Sequence, residues 1–199
     1  MCFHSKQSKK TQQIENRFNA KFETNNDFAP TNHYNGFNFP KTPLITNDDN
    51  ATIQMLNWGL VPQWANQNWN KTYTLNARIE TIEDKPAFKD VIENRCIILV
   101  DGFYEWQHVG KQKIKYEIGF ENELFAFAGL YSEFENIKTY TIITTEAKGI
   151  MREIHNTKLR MPIALKEDIE IENWLVKKEV KPRFDFTAIA LDQIQPTLF

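Results

Sequence analysis

The spacing of apolar and polar positions changes several times along the chain, and each change marks an element. Ile14, Phe18 and Phe22 recur every four residues with glutamines and lysines around them, which predicts an amphipathic helix near the N-terminus. Residues 25–43, rich in Asn, Pro and aromatics, read as a loop passing through an Asn35-Gly36 turn into a short strand carrying Phe37 and Phe39. A second turn over residues 47–50 leads into a strand from Ala51 to Trp58, with Ile53 and Met55 on one face. Cys96 to Val100 is a continuous apolar run, the pattern of a strand buried on both faces. Turns at Asp101-Gly102, Val109-Gly110-Lys111 and Glu121-Asn122 then separate Phe103–Trp106, Lys113–Phe120 and Leu124–Tyr131, and Tyr140–Thr145 adds another strand. This run of hairpins predicts a mostly antiparallel sheet that is strongly curved or closed into a barrel. Ala147–Ile154 reads as a short helix ending at His155, and Arg160–Leu165 as extended chain. Lys166–Val176 reads as a helix with Ile169, Trp174 and Leu175 inward, and Phe184–Ala190 as a closing strand.

Composition adds limits to this outline. With 199 residues, 41% hydrophobic and 13% aromatic, the chain can bury one sizeable core, and a single domain over residues 1–199 is expected. Neither a secretory leader nor an apolar stretch of membrane-spanning length is visible, so a cytoplasmic protein is expected. Two cysteines are too few for a disulfide framework and lack zinc-ligand spacing; Cys96 reads as a buried strand residue. Metal-ligand clusters, glycine-rich phosphate loops and a serine nucleophile elbow are also missing from the sequence, so no metal or cofactor is expected. The net charge of -2 does not point to nucleic acid, but residues 1–22 carry Lys6, Lys9, Lys10, Arg17 and Lys21 against Glu15 alone. That end is either a solvated helix face or a basic surface holding a polyanion beside Cys2.

The candidate chemistry begins at Met1-Cys2. Removal of the initiator methionine ahead of a residue as small as cysteine leaves Cys2 with a free α-amine beside its thiol. An α-amine titrates at about 7.7–8.0 and a lysine amine at about 10.4, so at neutral pH the terminal amine alone keeps a useful nucleophilic fraction without tuning. It can attack an aldehyde to give a Schiff base, and the adjacent thiol can close a five-membered thiazolidine. Further along, Trp58-Gly59-Leu60-Val61-Pro62-Gln63-Trp64-Ala65 is a rigid turn between two tryptophans. Trp58 reads as core and Trp64 as a surface ring on which an unpaired base could stack, worth about 1–3 kcal/mol. Asn76, Arg78 and Glu80 fall on one face of an extended segment, as a solvated edge or a polar cluster lining a cleft. Glu105 lies among Phe103, Tyr104 and Trp106, where desolvation would raise its pKa toward that of a neutral-pH general acid. His155, at a helix end, is either structural or catalytic.

Taken in order, Met1-Cys2, Trp58-Gly59-Leu60-Val61-Pro62 with Trp64-Ala65, Asn76-Ala77-Arg78 with Glu80-Thr81, Asp101 to Trp106, and Ile154-His155 with Arg160-Met161-Pro162 resemble the SOS-response-associated peptidase (SRAP) family of abasic-site processing proteins. The resemblance covers nearly the whole chain. It implies an α+β fold on a barrel-like sheet, with a groove for single-stranded DNA leading to Cys2. It implies that the Cys2 amine and thiol trap the ring-opened aldehyde of an abasic site as a thiazolidine crosslink. Asn76 would hold the Cys2 terminus or the sugar, Glu105 would shuttle protons, His155 would assist imine formation and reversal, and Arg78 would bind phosphate. The expected partner is single-stranded DNA containing abasic sites, met by a monomer that is nucleoid-associated on damaged DNA. Many members begin Met-Cys-Gly-Arg, whereas this chain has Phe3 and His4, so Lys6 or Lys9 is the expected partial substitute for the missing arginine. Asn156 to Leu159 also lengthen the loop between His155 and Arg160-Met161-Pro162. Two other readings stay open: an N-terminal-nucleophile cysteine peptidase, and a non-covalent single-stranded DNA binder using Trp64 and Arg78.

Overall fold

The computed structural model describes residues 2–24, 26–66 and 68–191. Five strands close a ring: Lys41–Thr46, Thr52–Trp58, Arg95–Val100, Phe125–Phe134 and Ile137–Glu146. Antiparallel pairing links all neighbours except the last, where Ile137–Glu146 lies parallel to Thr52–Trp58 and removes the final open edge. The apolar run at Cys96–Val100 sits in this ring and is buried on both faces, as its pattern predicts. Cys96, Ile98 and Val100 enter one hydrophobic cluster, while Ile97 and Leu99 enter a second.

The ring is tight at Gly129. A β-carbon there would lie 2.5 Å from Ile98 Cδ1 and 2.7 Å from the Thr141 carbonyl oxygen. Gly129→Ala is therefore expected to lower stability by about 1–3 kcal/mol through overpacking, read as a fall in urea midpoint at unchanged slope.

A second sheet carries the site. Its strands run in the order Thr187–Ala190, Gln112–Gly119, Gly102–Val109, His4–Gln7, Thr31–Asn35. The His4–Gln7 strand is not visible in the sequence pattern, because His-Ser-Lys-Gln shows no apolar alternation. It is nevertheless central, with Ser5 opposite Tyr34 on one side and opposite Phe103 on the other. Its polar side chains are buried in company: Lys6 Nζ donates to Glu117 Oε1 at 2.6 Å. Just beyond the strand, the buried Asp101 carboxylate accepts from the Ser8 backbone at 2.9 Å and from the Ser8 hydroxyl.

Several expectations are corrected. The N-terminal helix covers Thr11–Phe18 and stops at Asn19, whose left-handed φ of 48° ends it, so Phe22 sits instead in the short strand Lys21–Phe22. The expected loop of residues 25–43 contains the strand Thr31–Asn35, and Phe37 lies in a single 3-10 turn rather than in a strand. In the helix Asp168–Leu175, Trp174 is buried and Leu175 packs on the core, but Ile169 is 59% exposed; Ile171 takes the inward place. Among the described residues no helix is long and apolar enough to cross a membrane.

Candidate active site

Pairing of the His4–Gln7 strand into the second sheet fixes where Cys2 can lie, two residues before it. Cys2 is fully buried, and its carbonyl oxygen accepts from Asn76 Nδ2 at 2.9 Å. The Phe3 carbonyl accepts from the Gly36 N–H at 2.8 Å, so both peptide groups after Cys2 are held. Asn76 opens the short strand Asn76–Arg78, which pairs with Ile137–Glu146 of the barrel, so the amide that grips Cys2 stands on a rigid support. Asn76 Oδ1 is buried with no hydrogen-bond partner among the described residues, leaving an acceptor beside Cys2.

Glu105 comes from the Gly102–Val109 strand, on the same face as the fully buried Phe103. Burial raises its pKa to about 7, so close to half of it is protonated at neutral pH. His155 ends the short helix Ile150–Ile154, and its Nε2 lies 3.8 Å from Glu105 Oε2. Burial takes the imidazole down to about 4, so His155 is neutral where Glu105 titrates. The contact is thus a carboxyl group facing a neutral imidazole that can exchange one proton, not a standing ion pair. The tautomer follows from the other nitrogen. Nδ1 lies 2.7 Å from the Arg160 carbonyl oxygen, which can only accept, and 3.2 Å from the Arg160 N–H, which can only donate; the shorter contact is served by a hydrogen on Nδ1, which turns the Nε2 lone pair to the carboxyl group.

The loop after His155 is pinned at three points. Leu159 N donates to the His155 carbonyl at 2.9 Å, Asn156 Nδ2 donates to the His108 carbonyl at 2.8 Å, and Arg160 makes a two-pronged bond to Glu80 at 3.0 and 2.8 Å. The extra residues 156–159 therefore turn back with Leu159 at a φ of 52° and keep His155 on Glu105. Glu80, grouped by alternation with Asn76 and Arg78, is taken up in holding Arg160.

The thiol is not preactivated. Burial, with the neighbouring Glu105 carboxylate adding to it, pushes the Cys2 thiol far above its ordinary range, so it is protonated at neutral pH. The cleft that opens beside these groups has a volume of about 450 Å³ and is lined by His4, Glu105, Trp106, His108, Lys113, His155 and Lys158, among others. Lys113, Lys158 and His108 carry no motif in the sequence; only the fold gathers them. Met1 lies outside the described residues.

The DNA-contact candidates divide. Trp58 is buried, with Nε1 donating to the Leu75 carbonyl at 2.8 Å, whereas Trp64 is 54% exposed and meets Trp69 edge-on at 5.2 Å. Arg78 is exposed two residues from Asn76. Neither Trp64 nor Arg78 lines the Glu105 cleft. The expected substitution of Lys6 or Lys9 for an arginine at position 4 is corrected. Lys6 is buried against Glu117, and Lys9 Nζ lies 3.8 Å from buried Asp101, so the fold uses both inward.

Comparisons with known proteins place this geometry in a family. The profile of the SOS response associated peptidase (SRAP) family matches residues 1–195. The chain is 41% identical over 149 residues to the abasic site processing protein YoaM of Bacillus subtilis, covering 71% of this chain and 64% of that one. It is 30% identical over 191 residues to the abasic site processing protein YMR114C of Saccharomyces cerevisiae, covering 87% of this chain and 49% of the other. The chain thus spans less than two thirds of the length of these relatives. A solved protein of Bacteroides thetaiotaomicron superposes with a TM-score of 0.85 at 32% identity, over 96% of this chain and 92% of that one. Buried Cys2, the Asn76 grip and the Glu105–His155 pair thus belong to a chain whose fold and sequence both match one family across nearly its full length: the chain belongs to the SOS response associated peptidase (SRAP) family.

Proposed function

We propose that this chain, acting as one SRAP unit and as a monomer, captures abasic sites in single-stranded DNA through a thiazolidine on Cys2. The observation that carries the reading is the convergence of a held Cys2 backbone with a carboxyl group titrating near neutral pH. While residue 1 precedes it, the Cys2 nitrogen is a peptide amide; removal of Met1 makes it an amine. The amine adds to the aldehyde carbon to form a carbinolamine, and Glu105 in its acid form supplies the proton on which water departs. Departure of water leaves an iminium that keeps the N–H of the carbinolamine; the thiol proton then passes to the Glu105 carboxylate as the sulfur adds to the iminium carbon and the C=N electron pair returns to nitrogen. The balance is aldehyde plus aminothiol giving thiazolidine plus one water. Because burial keeps the thiol protonated, this order, amine first and thiol second, suits the site.

His155 keeps its Nε2 lone pair toward Glu105 and can return a proton for the reverse reaction; its Nδ1–H bond to Arg160 holds it in that role. Asn76 orients the Cys2 terminus, and Trp64 and Arg78 are assigned to flanking bases and phosphates, outside the reaction cleft. The peptidase alternative needs a thiolate attacking an amide, and burial moves the thiol in the opposite direction.

The test is the intact mass of the purified protein with and without a single strand carrying one abasic site. The expected result is loss of the initiator methionine followed by a mass increase equal to the strand less one water, stable to heating. A protein that has lost Met1 and still gains no strand would overturn the reading.

A further inference from the structure

All four histidines of the chain converge on this one site. His4, His108 and His155 line the cleft, and the fourth, His33, bonds to His4: His4 Nδ1 and His33 Nε2 are 2.9 Å apart. The two rings stack at 5.0 Å, Trp106 meets His4 edge-on at 4.8 Å, and Tyr104 meets His33 edge-on at 5.6 Å. Lys115 Nζ lies 4.3 Å from the Tyr104 ring centroid and 5.7 Å from that of Trp106. These contacts come from three strands of the second sheet besides that of His4, and they are not needed for thiazolidine chemistry.

A bond between two imidazole nitrogens needs one hydrogen, so the pair is complete when both rings are neutral; a second proton would set two N–H groups against each other. Burial takes His4 down to about 4, with His33 and Lys115 adding repulsion, and His33 is lowered too, chiefly by burial. The other charged groups near the pair are Glu117 on the neighbouring strand, bonded to Lys6; Glu105 and His155, which face each other inside the cleft; Lys113 and Lys158, which line the cleft with His4; and Asp27 with Lys41, 3.7 Å apart, beside His33. Without a ligand the pair is therefore an uncharged, preassembled donor–acceptor unit, with Lys115 over the neighbouring Tyr104 and Trp106 rings and Lys113 and Lys158 along the cleft that His4 lines. An anion placed against it would offset the repulsion that keeps it neutral and draw one proton onto the rings.

We propose that the His4–His33 pair, with Lys115, is a proton-coupled subsite for a phosphodiester of the bound strand, holding the backbone next to Cys2. This rests on the reading of the chain as a binder of abasic single strands and adds the contact that fixes the strand at position 4. Binding takes up one proton shared between the two rings, and acid strengthens the grip. Where an arginine would hold a phosphate at all pH values, this pair holds it conditionally.

The experiment uses the full chain and a single strand containing tetrahydrofuran, which mimics an abasic site but has no aldehyde, so binding is read without crosslinking. Anisotropy at constant ionic strength should show affinity rising at least about threefold from pH 8 to pH 6, the ceiling for one proton being about tenfold per pH unit. Calorimetry in two buffers of different ionisation heat should show net proton uptake at pH 7. Both measurements are repeated in a Glu105→Gln background, where the carboxyl group that titrates near 7 in the same cleft contributes nothing; there His33→Gln, at an exposed position, and His4→Gln should each remove most of the remaining pH dependence and proton uptake. In that background His4→Arg should restore binding and leave it independent of pH. Flat wild-type affinity, no binding, or a pH dependence of that background that survives both histidine-to-glutamine variants would each overturn the proposal. Crosslinking to a true abasic strand, measured alongside, reports on the underlying reading. Crosslinking with flat tetrahydrofuran binding sinks only the subsite, and pH-linked binding without crosslinking sinks only the capture reaction.

Discussion

Cys2→Ser is expected to convert a permanent capture into a reversible one. Serine is small enough for the initiator methionine to be removed and keeps the α-amine, so imine formation survives. Its hydroxyl is a far weaker nucleophile than a thiol, and the ring it could close returns readily to the imine. The heat-stable adduct with an abasic strand should therefore fall to below roughly one per cent of wild type. Treatment with borohydride, which reduces the imine to a stable secondary amine, should recover most of it. The buried position makes a stability control necessary. The sulfur lies 3.9 Å from the His4 carbonyl, and a hydroxyl there without a closer partner costs about 1–3 kcal/mol. A melting curve that keeps the variant folded at the assay temperature removes that ambiguity. Heat-stable adduct at wild-type level in the folded variant would show that the thiol is not part of the linkage.

How much of this site can be read from residues alone depends on whether the signal is local. Glu105 is legible because the three aromatics around it lie within two residues, and strand alternation turns that neighbourhood into a desolvated face. The Cys96–Val100 run is legible because burial on both faces leaves an unbroken apolar string. The His4–Gln7 strand is not, since its burial depends on partners far along the chain: Glu117 bonds the Lys6 ammonium, and Asp101 holds Ser8 just beyond the strand. The same reason defeats the expectation for Lys6 and Lys9. A basic run looks like a surface until the carboxylates facing it are known. The His4–His33 pair joins residues 29 apart, and the lysines of the cleft come from a strand and a loop with no motif between them. The loop after His155 shows the reverse case: an insertion that weakens a sequence match leaves the geometry intact, because Glu80 and Asn156 pin its two ends.

Glu105→Gln should slow capture by about 10²–10³-fold, since a positioned acid–base group contributes roughly that factor and glutamine keeps the shape without the proton. The pH profile carries more information than the rate. Wild type needs Glu105 protonated, which fails as pH rises through about 7, and the terminal amine unprotonated, which fails below about 7.7–8.0. Its rate should peak between these values and fall on both sides, whereas the variant should lose the alkaline fall and level off above pH 8. Stability should move the other way. A carboxyl group with a folded pKa of about 7 against its ordinary 4.5 favours folding fully below 4.5, and that contribution is lost as pH rises through 7. His155, held down to about 4 from 6.5, gives its contribution above 6.5 and loses it as pH falls through 4. The two slopes cancel between about 4.5 and 6.5, and His4, also held down to about 4, and the lowered His33 add stability as pH rises toward 6.5, so wild type should be most stable near pH 6.5. At pH 8 the buried Glu105 charge costs about 3 kcal/mol at the upper limit, so Glu105→Gln should melt higher than wild type at pH 8 and no higher at pH 5. A variant that is slower and more stable at pH 8 marks Glu105 as a group kept at a folding cost for its proton. A variant that is slower and less stable at both pH values would mark it as a packing residue and move the acid to another side chain.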